Sequence, residues 1–109
     1  MVQFFHPPKD EMTLEGILTA LSDPVRITII KNLLKVDGCS SCSEAAPYPD
    51  MAKSTLSHHF RILRETGLIR TNKQGVENRN VVRLEDINER FPGLLDLILN
   101  LSSARHPVI

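Results

Sequence analysis

Apolar residues recur at helical spacing through the first third of this chain of 109 residues. Residues 10–21 carry an apolar stripe with steps of three and four positions, which predicts an amphipathic helix. Its members are Leu14, Ile17, Leu18 and Leu21. Ser22-Asp23-Pro24 predicts an end and a restart, because Ser or Asp caps a helix and Pro suits the first helical position. A second helix is expected over residues 24–36, ending at Asp37-Gly38. Its inward stripe is Val25, Ile29, Ile30, Leu33 and Leu34.

The middle of the chain passes from an irregular segment into a third helix. Residues 38–52 are expected to hold at most one or two helical turns, around 42–46, since Pro47 and Pro49 break any longer helix. A helix is predicted from residue 53 to residue 66, ending at Gly67. Its buried stripe is Leu56, Phe60 and Leu63.

The last third combines β-prone and helical patterns. The runs 68–71 and 81–84 enclose a polar stretch that contains Gly and Asn, so they predict a hairpin. A last helix is expected over residues 86–102, and Pro92-Gly93 permits a bend in it. Its large apolar residues are Ile87, Phe91, Leu94, Leu95, Leu97, Ile98, Leu99 and Leu101. The order helix, helix, short helix, helix, hairpin, helix is typical of a winged helix-turn-helix. The predicted fold is therefore mainly α with a small β-hairpin.

The two ends are expected to lie outside this domain, which spans residues 10–102. Two prolines forbid a helix in residues 1–9, so an extended N-terminal arm is expected there. The phenylalanines of this arm need a partner surface. Residues 103–109 are expected to form a C-terminal tail.

Composition indicates one ordinary globular domain. Apolar residues make up 41% of the chain and charged residues 24%, as in soluble proteins. No apolar run approaches the length of a membrane span, and no secretory signal is visible. Two cysteines cannot form a disulfide framework, so a reduced, cytoplasmic location is expected.

The formal net charge is zero, but the charges are unevenly distributed. Residues 53–83 have a net charge of plus five, whereas the segments before and after them are net minus three and minus two. A basic block between acidic flanks can neutralise phosphates while the rest of the protein repels them. The alternative is an ordinary solvated face.

One face of the third long helix carries candidate chemistry. On a helical wheel, Ser54, Ser57, His58 and Arg61 lie opposite the buried stripe. Short hydroxyl side chains let a helix approach base edges and phosphates closely, and an arginine can bind guanine or phosphate. The alternative is a polar surface helix, although Ser-Thr-Leu-Ser is a weak helix start on propensity alone.

Two segments resemble the ArsR-type winged helix-turn-helix regulators. Residues 21–26, Leu-Ser-Asp-Pro-Val-Arg, resemble the start of that family's second helix. Residues 53–69 are similar, almost residue by residue, to its recognition helix and the following turn, and with the hairpin the resemblance covers about residues 14–101. It implies a homodimeric DNA-binding transcription regulator, usually a repressor. The residues expected to contact DNA are Lys53, Ser54, Thr55, Ser57, His58, Arg61, Arg64, Lys73, Gln74 and Arg79.

The apolar content of the last helix independently favours a dimer. Its large apolar residues exceed what a surface helix of a small monomer buries, and such a patch marks an interface. The resemblance places the first and last helices in that interface. The residues expected there are Leu14, Ile17, Leu18, Phe91, Leu94, Leu95, Ile98 and Leu101. A twofold dimer would present two recognition helices about one DNA turn apart, which suits a near-palindromic operator.

Cys39 and Cys42 are the candidate sensing residues. Their Cys-x-x-Cys spacing can supply two thiolates to a soft metal or metalloid, or close a reversible disulfide. The family resemblance implies metal or metalloid sensing, but sensors usually place the two cysteines one residue apart. The other candidate ligands are His6, His58, His59 and His106, and adjacent His58 and His59 point too far apart to chelate one ion. Three interpretations stay open: no sensing role, a thiol redox switch, or a metal site.

The sequence thus predicts a sequence-specific DNA-binding regulator, most simply a homodimeric repressor modulated by thiol state or soft metal. The alternative is a constitutive regulator, or a protein-interaction winged helix without sensing. An enzyme is not expected, because a dithiol oxidoreductase places its cysteines in a βαβ unit and no strand is predicted before Gly38.

Overall fold

The computed structural model describes residues 4–35 and 40–104. Its first helical elements are a 3-10 helix at Lys9–Glu11 and helix α1 at Leu14–Ala20. The prediction of one helix over 10–21 was wrong in extent, because the backbone is extended at Met12 and Thr13. The Thr13 side chain accepts from the Gly16 N–H at 3.0 Å, so it caps α1 and fixes its start.

Helix α2, at Pro24–Lys35, begins as expected. The Asp23 Oδ1 atom accepts from the Val25 N–H at 2.7 Å, and Pro24 occupies the first helical position. The predicted inward stripe is correct at Ile29, Ile30 and Leu33 but not at Leu34, which is exposed. In its place the helix buries Arg26.

Strand β1 at Ser40–Ser41 leads directly into helix α3 at Cys42–Ala45. The short helix confirms the prediction of one or two turns, whereas the strand was not predicted. Helix α4 follows at Lys53–Glu65 and buries the expected stripe. Gly67, with φ of +94°, ends it, because the left-handed region costs glycine little.

Strands β2 at Ile69–Gln74 and β3 at Glu77–Val82 form an antiparallel hairpin. The polar stretch at residues 72–80, expected to connect the two strands, is itself mostly strand. The turn between the strands consists of Gly75 and Val76. The sheet order is β1-β3-β2, and β1 pairs with Asn80 and Arg79 of β3. A pattern of polar residues does not exclude a strand whose faces are half exposed to water.

The predicted last helix is two helices, α5 at Leu84–Arg90 and α6 at Leu94–Ala104. Gly93 has φ of +78°, so the chain turns where Pro92-Gly93 permitted a bend. Residue 84, expected at a strand end, begins α5 instead. No helix among the described residues has the length and hydropathy needed to cross a bilayer.

Residues from every long helix and from the sheet share one core. Its completely buried members include Ile17 of α1, Ile29 of α2, Phe60 of α4, Ile69 of β2 and Leu95 of α6. Aliphatic side chains dominate this core, as the scarcity of aromatic residues requires. The burial of Phe60 and Leu63 on one side of α4 leaves its opposite side facing solvent.

The described part of the N-terminal arm packs against the domain. The Phe4 ring lies under the Arg64 guanidinium, with 4.4 Å from Cζ to the ring centroid. The His6 Nε2 atom accepts from the Thr71 N–H on the edge strand β2 at 2.9 Å, and Arg83 donates to the Pro7 carbonyl at 2.9 Å. The need for a partner surface is met for Phe4 within the chain, whereas Phe5 is 61% exposed.

Candidate nucleic-acid interface

The exposed face of α4 brings together polar and basic side chains. Ser54, Ser57, His58 and Arg61 are all exposed, and with Arg64 they line an open groove of about 360 Å³. This is the arrangement expected from the helical wheel. A protruding helix with hydroxyl, imidazole and guanidinium groups on one side can enter a major groove and reach base edges.

The start of α4 adds groups suited to phosphate. Lys53 and Thr55 are exposed in its first turn. The N-cap is Ala52, which has no side-chain acceptor for the first N–H groups of the helix. Because unsatisfied N–H groups and a positive dipole end attract anions, this end can hold a DNA phosphate.

The hairpin stands beside this helix as a wing. A second open groove, of about 260 Å³, runs between α4 and the hairpin, with Lys53 and Ser57 on one wall and Val76 and Asn78 on the other. Lys73 and Gln74 are exposed. Arg79 is half-buried and lies 3.4 Å from the Glu77 carboxylate, so its charge is partly offset.

Two basic residues of the central segment have structural contacts. Arg64 is half-buried, and its guanidinium stacks on Phe4, which holds it at the edge of the α4 groove. Arg83 is buried, with Nη2 2.9 Å from the Asp86 Oδ2 atom. Arg83 therefore contributes to the sequence charge of this segment but not to its surface.

Sequence reasoning did not single out two exposed residues of the hairpin. Val76, at the wing tip, is 95% exposed, and Arg70 is exposed on β2. For Val76, the available signal was its position after Gly75, because a residue in a tight turn must face outward. The period-two alternation of a strand, with apolar Ile69 facing the core and Arg70 facing outward, was the signal for the second.

The two adjacent histidines of α4 lie in different environments. Their ring centroids are 5.7 Å apart, with His58 exposed and His59 buried. The His59 Nδ1 atom is 3.1 Å from the Arg26 Nη1 atom. Burial is the main cause that lowers the pKa of His59 below its ordinary value, and the Arg26 charge acts in the same direction.

The sensing residues are only partly covered by the structure. Cys39, the Cys42 side chain and His106 lie outside what it describes. Among the described residues there is no group of three or more His, Cys, Asp or Glu side chains arranged to hold a metal ion. His6, His58 and His59 are described, and each lies in a different setting from the other two.

The residues expected at a dimer interface divide into two groups. Leu14 and Leu18 of α1 are 42% and 45% exposed, and Leu101 of α6 is 57% exposed. Ile17 and Leu95 are completely buried within the chain's own core. Phe91, Leu94 and Ile98 are half-buried. Leu97, which was not in the expected set, is 57% exposed.

Comparison with protein families and curated proteins gives a consistent result. A family model described as a helix-turn-helix domain matches residues 21–72. The chain is 33% identical over 89 residues to the uncharacterized HTH-type transcriptional regulator YceK of Bacillus subtilis (strain 168). That alignment covers 82% of this chain and 89% of YceK.

Solved structures agree in fold. An ArsR family transcriptional regulator, RHA00566, matches with a TM-score of 0.63 and 27% identity, over 95% of this chain and all of that one. The homodimeric winged helix-turn-helix DNA-binding domain Mb0332 from Mycobacterium bovis matches with a TM-score of 0.64 and 18% identity, over 97% of this chain and 94% of that one. With α4 exposed beside a β-hairpin wing, the chain belongs to the ArsR-type family of winged helix-turn-helix transcriptional regulators.

Proposed function

We propose that this regulator is a homodimeric repressor that binds a near-palindromic duplex operator through α4 and the wing. The observation that carries the proposal is the exposed face of α4, where Ser57, His58 and Arg61 project away from the buried stripe. In this arrangement Ser57 and His58 read base edges, Arg61 binds guanine or phosphate, and Lys73 of the wing holds the neighbouring backbone.

The role of the remaining candidates follows from their positions. Lys53, Ser54 and Thr55 lie at the start of α4 and are suited to phosphate. Gln74 lies at the end of β2 next to the wing tip. Arg64 and Arg79 are half-buried and already contact Phe4 and Glu77, so we assign them to phosphate positioning at the edges of the surface.

A second copy of the chain is the proposed partner for the exposed leucines. Leu14 and Leu18 are four positions apart on α1, as are Leu97 and Leu101 on α6, so each pair lies on one helix face. Half-buried Leu94 and Ile98 extend the α6 surface. Repression follows from occupancy, because a dimer bound across an operator excludes other proteins from that DNA.

Modulation by the cysteine pair is the second part of the proposal. Strand β1 lies between Cys39 and Cys42 in sequence and pairs with Asn80 and Arg79 of the wing strand β3. A disulfide or a soft metal at these cysteines would therefore act next to the wing. A constitutive regulator, or a winged helix that binds protein, is the competing function.

The α4 face is tested by removing its readout groups. We expect Ser57→Ala with His58→Ala to abolish specific binding, a loss of about 2 kcal/mol or more, because two base-edge contacts disappear. The measurement is a gel shift with a duplex that the wild-type protein selects from a random-sequence library. Asn88→Ala, at an exposed position on α5, is the matched control and should bind like wild type. Full affinity of the double variant would contradict the proposal.

The same assay separates the modulated regulator from the constitutive one. Binding is measured in reductant, after oxidation, and with an added soft metal such as Cd²⁺. A change that disappears in Cys39→Ser with Cys42→Ser assigns the response to the cysteines. Equal affinity under all three conditions leaves a constitutive regulator.

A further inference from the structure

A buried arginine lies behind the recognition helix. Arg26 of α2 is 8% exposed, although arginine is almost never buried without partners. Its Nε atom donates to the Ala20 carbonyl at 2.7 Å, and its Nη2 atom to the Thr19 carbonyl at 3.4 Å. Both carbonyls belong to the last turn of α1, and that of Thr19 also accepts from the Ser22 N–H at 3.2 Å. Arg26 thus joins the end of α1 to the start of α2.

A further partner of this guanidinium is on α4. The Arg26 Nη1 atom is 3.1 Å from the His59 Nδ1 atom, and His59 is 9% exposed. His59 follows directly after His58, which faces the proposed DNA surface. The Arg26–His59 hydrogen bond therefore adds a directional contact to the apolar packing of α4, at the residue beside the proposed base-reading side chain.

The chemistry of the pair determines the protonation state of His59. A guanidinium carries only donors, so Nδ1 must act as the acceptor and the ring proton must be on Nε2. A second proton would occupy Nδ1, remove the acceptor, and place an imidazolium against a guanidinium. The contact is compatible only with neutral His59.

The charges around His59 come from two elements. On the α2 side they are the Arg26 guanidinium and the Asp23 carboxylate, whose Oδ2 atom is 3.7 Å from Arg26 Nη1. On α4 itself the neighbour is His58. Burial, Arg26 and His58 lower the pKa of His59 and Asp23 opposes them, with burial the largest cause. The hydrogen bond is thus fully formed above the ordinary histidine value of 6.5 and is lost as pH falls through the lower value of the folded protein.

We propose that Arg26 and His59 are positioning residues for DNA binding, and that a proton on His59 breaks the hydrogen bond between α4 and α2 and weakens binding to duplex DNA. This inference rests on the proposed function, since it acts through the α4 surface. The direction of the expected change in DNA affinity with pH distinguishes this effect from general electrostatics. Acidification adds positive charge to a protein, which by itself strengthens attraction to phosphate, whereas loss of this contact weakens binding.

The experiment measures affinity for the wild-type-selected duplex as a function of pH at constant ionic strength. As the pH is lowered from about 7.5 until His59 takes up its proton, which its lowered pKa places below 6.5, we expect the wild type to lose at least tenfold in affinity. His59→Asn keeps an acceptor, because its Oδ1 atom takes the place of Nδ1, but it does not titrate. We expect this variant to bind at neutral pH and to change less than about threefold over the same range.

Matched controls separate this contact from other titrating groups. His6 also has a lowered pKa, caused mainly by burial and secondarily by Arg70, and His6→Asn should retain the full pH dependence. Circular dichroism at each pH follows the folded fraction, and affinity must fall while that fraction stays constant. Nitrogen-15 shifts of His59 in the wild type report its tautomer without any substitution.

The outcomes are distinct. A wild-type affinity that is flat or rises on acidification, the same loss in His59→Asn, a loss that tracks unfolding, or a His59 proton on Nδ1 would each overturn the positioning role. Binding that survives Ser57→Ala with His58→Ala would instead overturn the proposed DNA surface. A pH-dependent wild type, a flat His59→Asn and an Nε2-protonated His59 together support the inference.

Discussion

Gly67 links α4 to the sheet and allows close packing at the same point. Its φ is +94°, and a Cβ atom there would lie 2.6 Å from the Met12 Cγ atom. Met12 is 1% exposed, so its side chain has little room to move. The Leu68 N–H donates to the Leu63 carbonyl across this turn at 2.9 Å, which closes the end of α4. Both backbone geometry and packing therefore require glycine.

We expect Gly67→Ala to lower the free energy of unfolding by about 2 kcal/mol or more, because it adds left-handed strain to a steric clash. Gly93→Ala is the matched control, since its φ is +78° and nothing lies within 4 Å of its Cβ position. That variant should lose only about 1 kcal/mol, from backbone strain alone. Urea denaturation of both proteins gives the comparison, and equal losses would show that Met12 adjusts without cost.

Single residues differ in how far sequence reveals their role. The exposed face of α4 was predictable, because helical periodicity separates Leu56, Phe60 and Leu63 from the polar positions. The buried positions of Arg26 and Arg83 were not predictable, because charged residues are normally assigned to the surface. Their carbonyl partners, on Ala20 and Pro7, come together only through tertiary packing.

The hairpin is the element whose contribution to DNA binding can be tested alone. Lys73 is exposed on β2, and in the proposed complex its ammonium group neutralises a backbone phosphate. We expect Lys73→Ala to weaken binding to specific and random duplexes about equally, and to reduce the slope of log affinity against log salt by about one per protomer. Filter binding or anisotropy at several salt concentrations provides the measurement.

A second lysine serves as the reference for this test. Lys35 is exposed at the end of α2, outside the basic segment 53–83. Lys35→Ala removes the same charge from the protein and should leave the salt slope unchanged. If both variants change the slope equally, the wing does not contact phosphate and the effect is one of overall charge.

Element boundaries were less predictable than element types. Helix α4 lies within one residue of its predicted limits, because Gly67 is a strong C-terminal signal. The first predicted helix begins too early, since the pattern does not show that Thr13 caps it. Strand β1 was missed because two residues carry no periodicity, and pairing with β3 alone defines it.

The assembly of the whole molecule is tested through its exposed leucines. Leu97 and Leu101 are each 57% exposed on α6, so substitution there leaves the core of the chain intact. We expect Leu97→Glu with Leu101→Glu to convert the proposed dimer to a monomer, because like charges would meet across its twofold interface. Sedimentation equilibrium measures the mass, and circular dichroism checks the fold.

Operator binding by the same double variant should fall at least about tenfold, since a monomer contacts only one half-site. Asn88→Ala again provides the control at an exposed helical position. A wild-type protein that sediments as a monomer, or a double variant that remains dimeric, would show that these leucines are not the interface.

At the scale of the whole molecule, the charge counted from the sequence overstates the basic surface of residues 53–83. The excess of plus five in residues 53–83 includes Arg83, which pairs with Asp86 inside the fold. The exposed cations of the segment are Lys53, Arg61, Arg70 and Lys73. They lie on α4 and β2, and two of them, Lys53 and Arg61, line the grooves of the surface proposed for DNA.

The unequal lengths of the three strands have a mechanical consequence. Among the described residues, strand β1 pairs with β3 at Asn80 and Arg79, and the pairs Lys73–Asn78 and Gln74–Glu77 lie beyond it toward the turn. The base of the hairpin is therefore held by β1 and by the core. Within the described chain, its last two pairs have no third strand beside them. A two-stranded ribbon twists more readily than a wider sheet. Bending at the tip can thus follow variations in the width of a DNA groove while the orientation of α4 stays fixed.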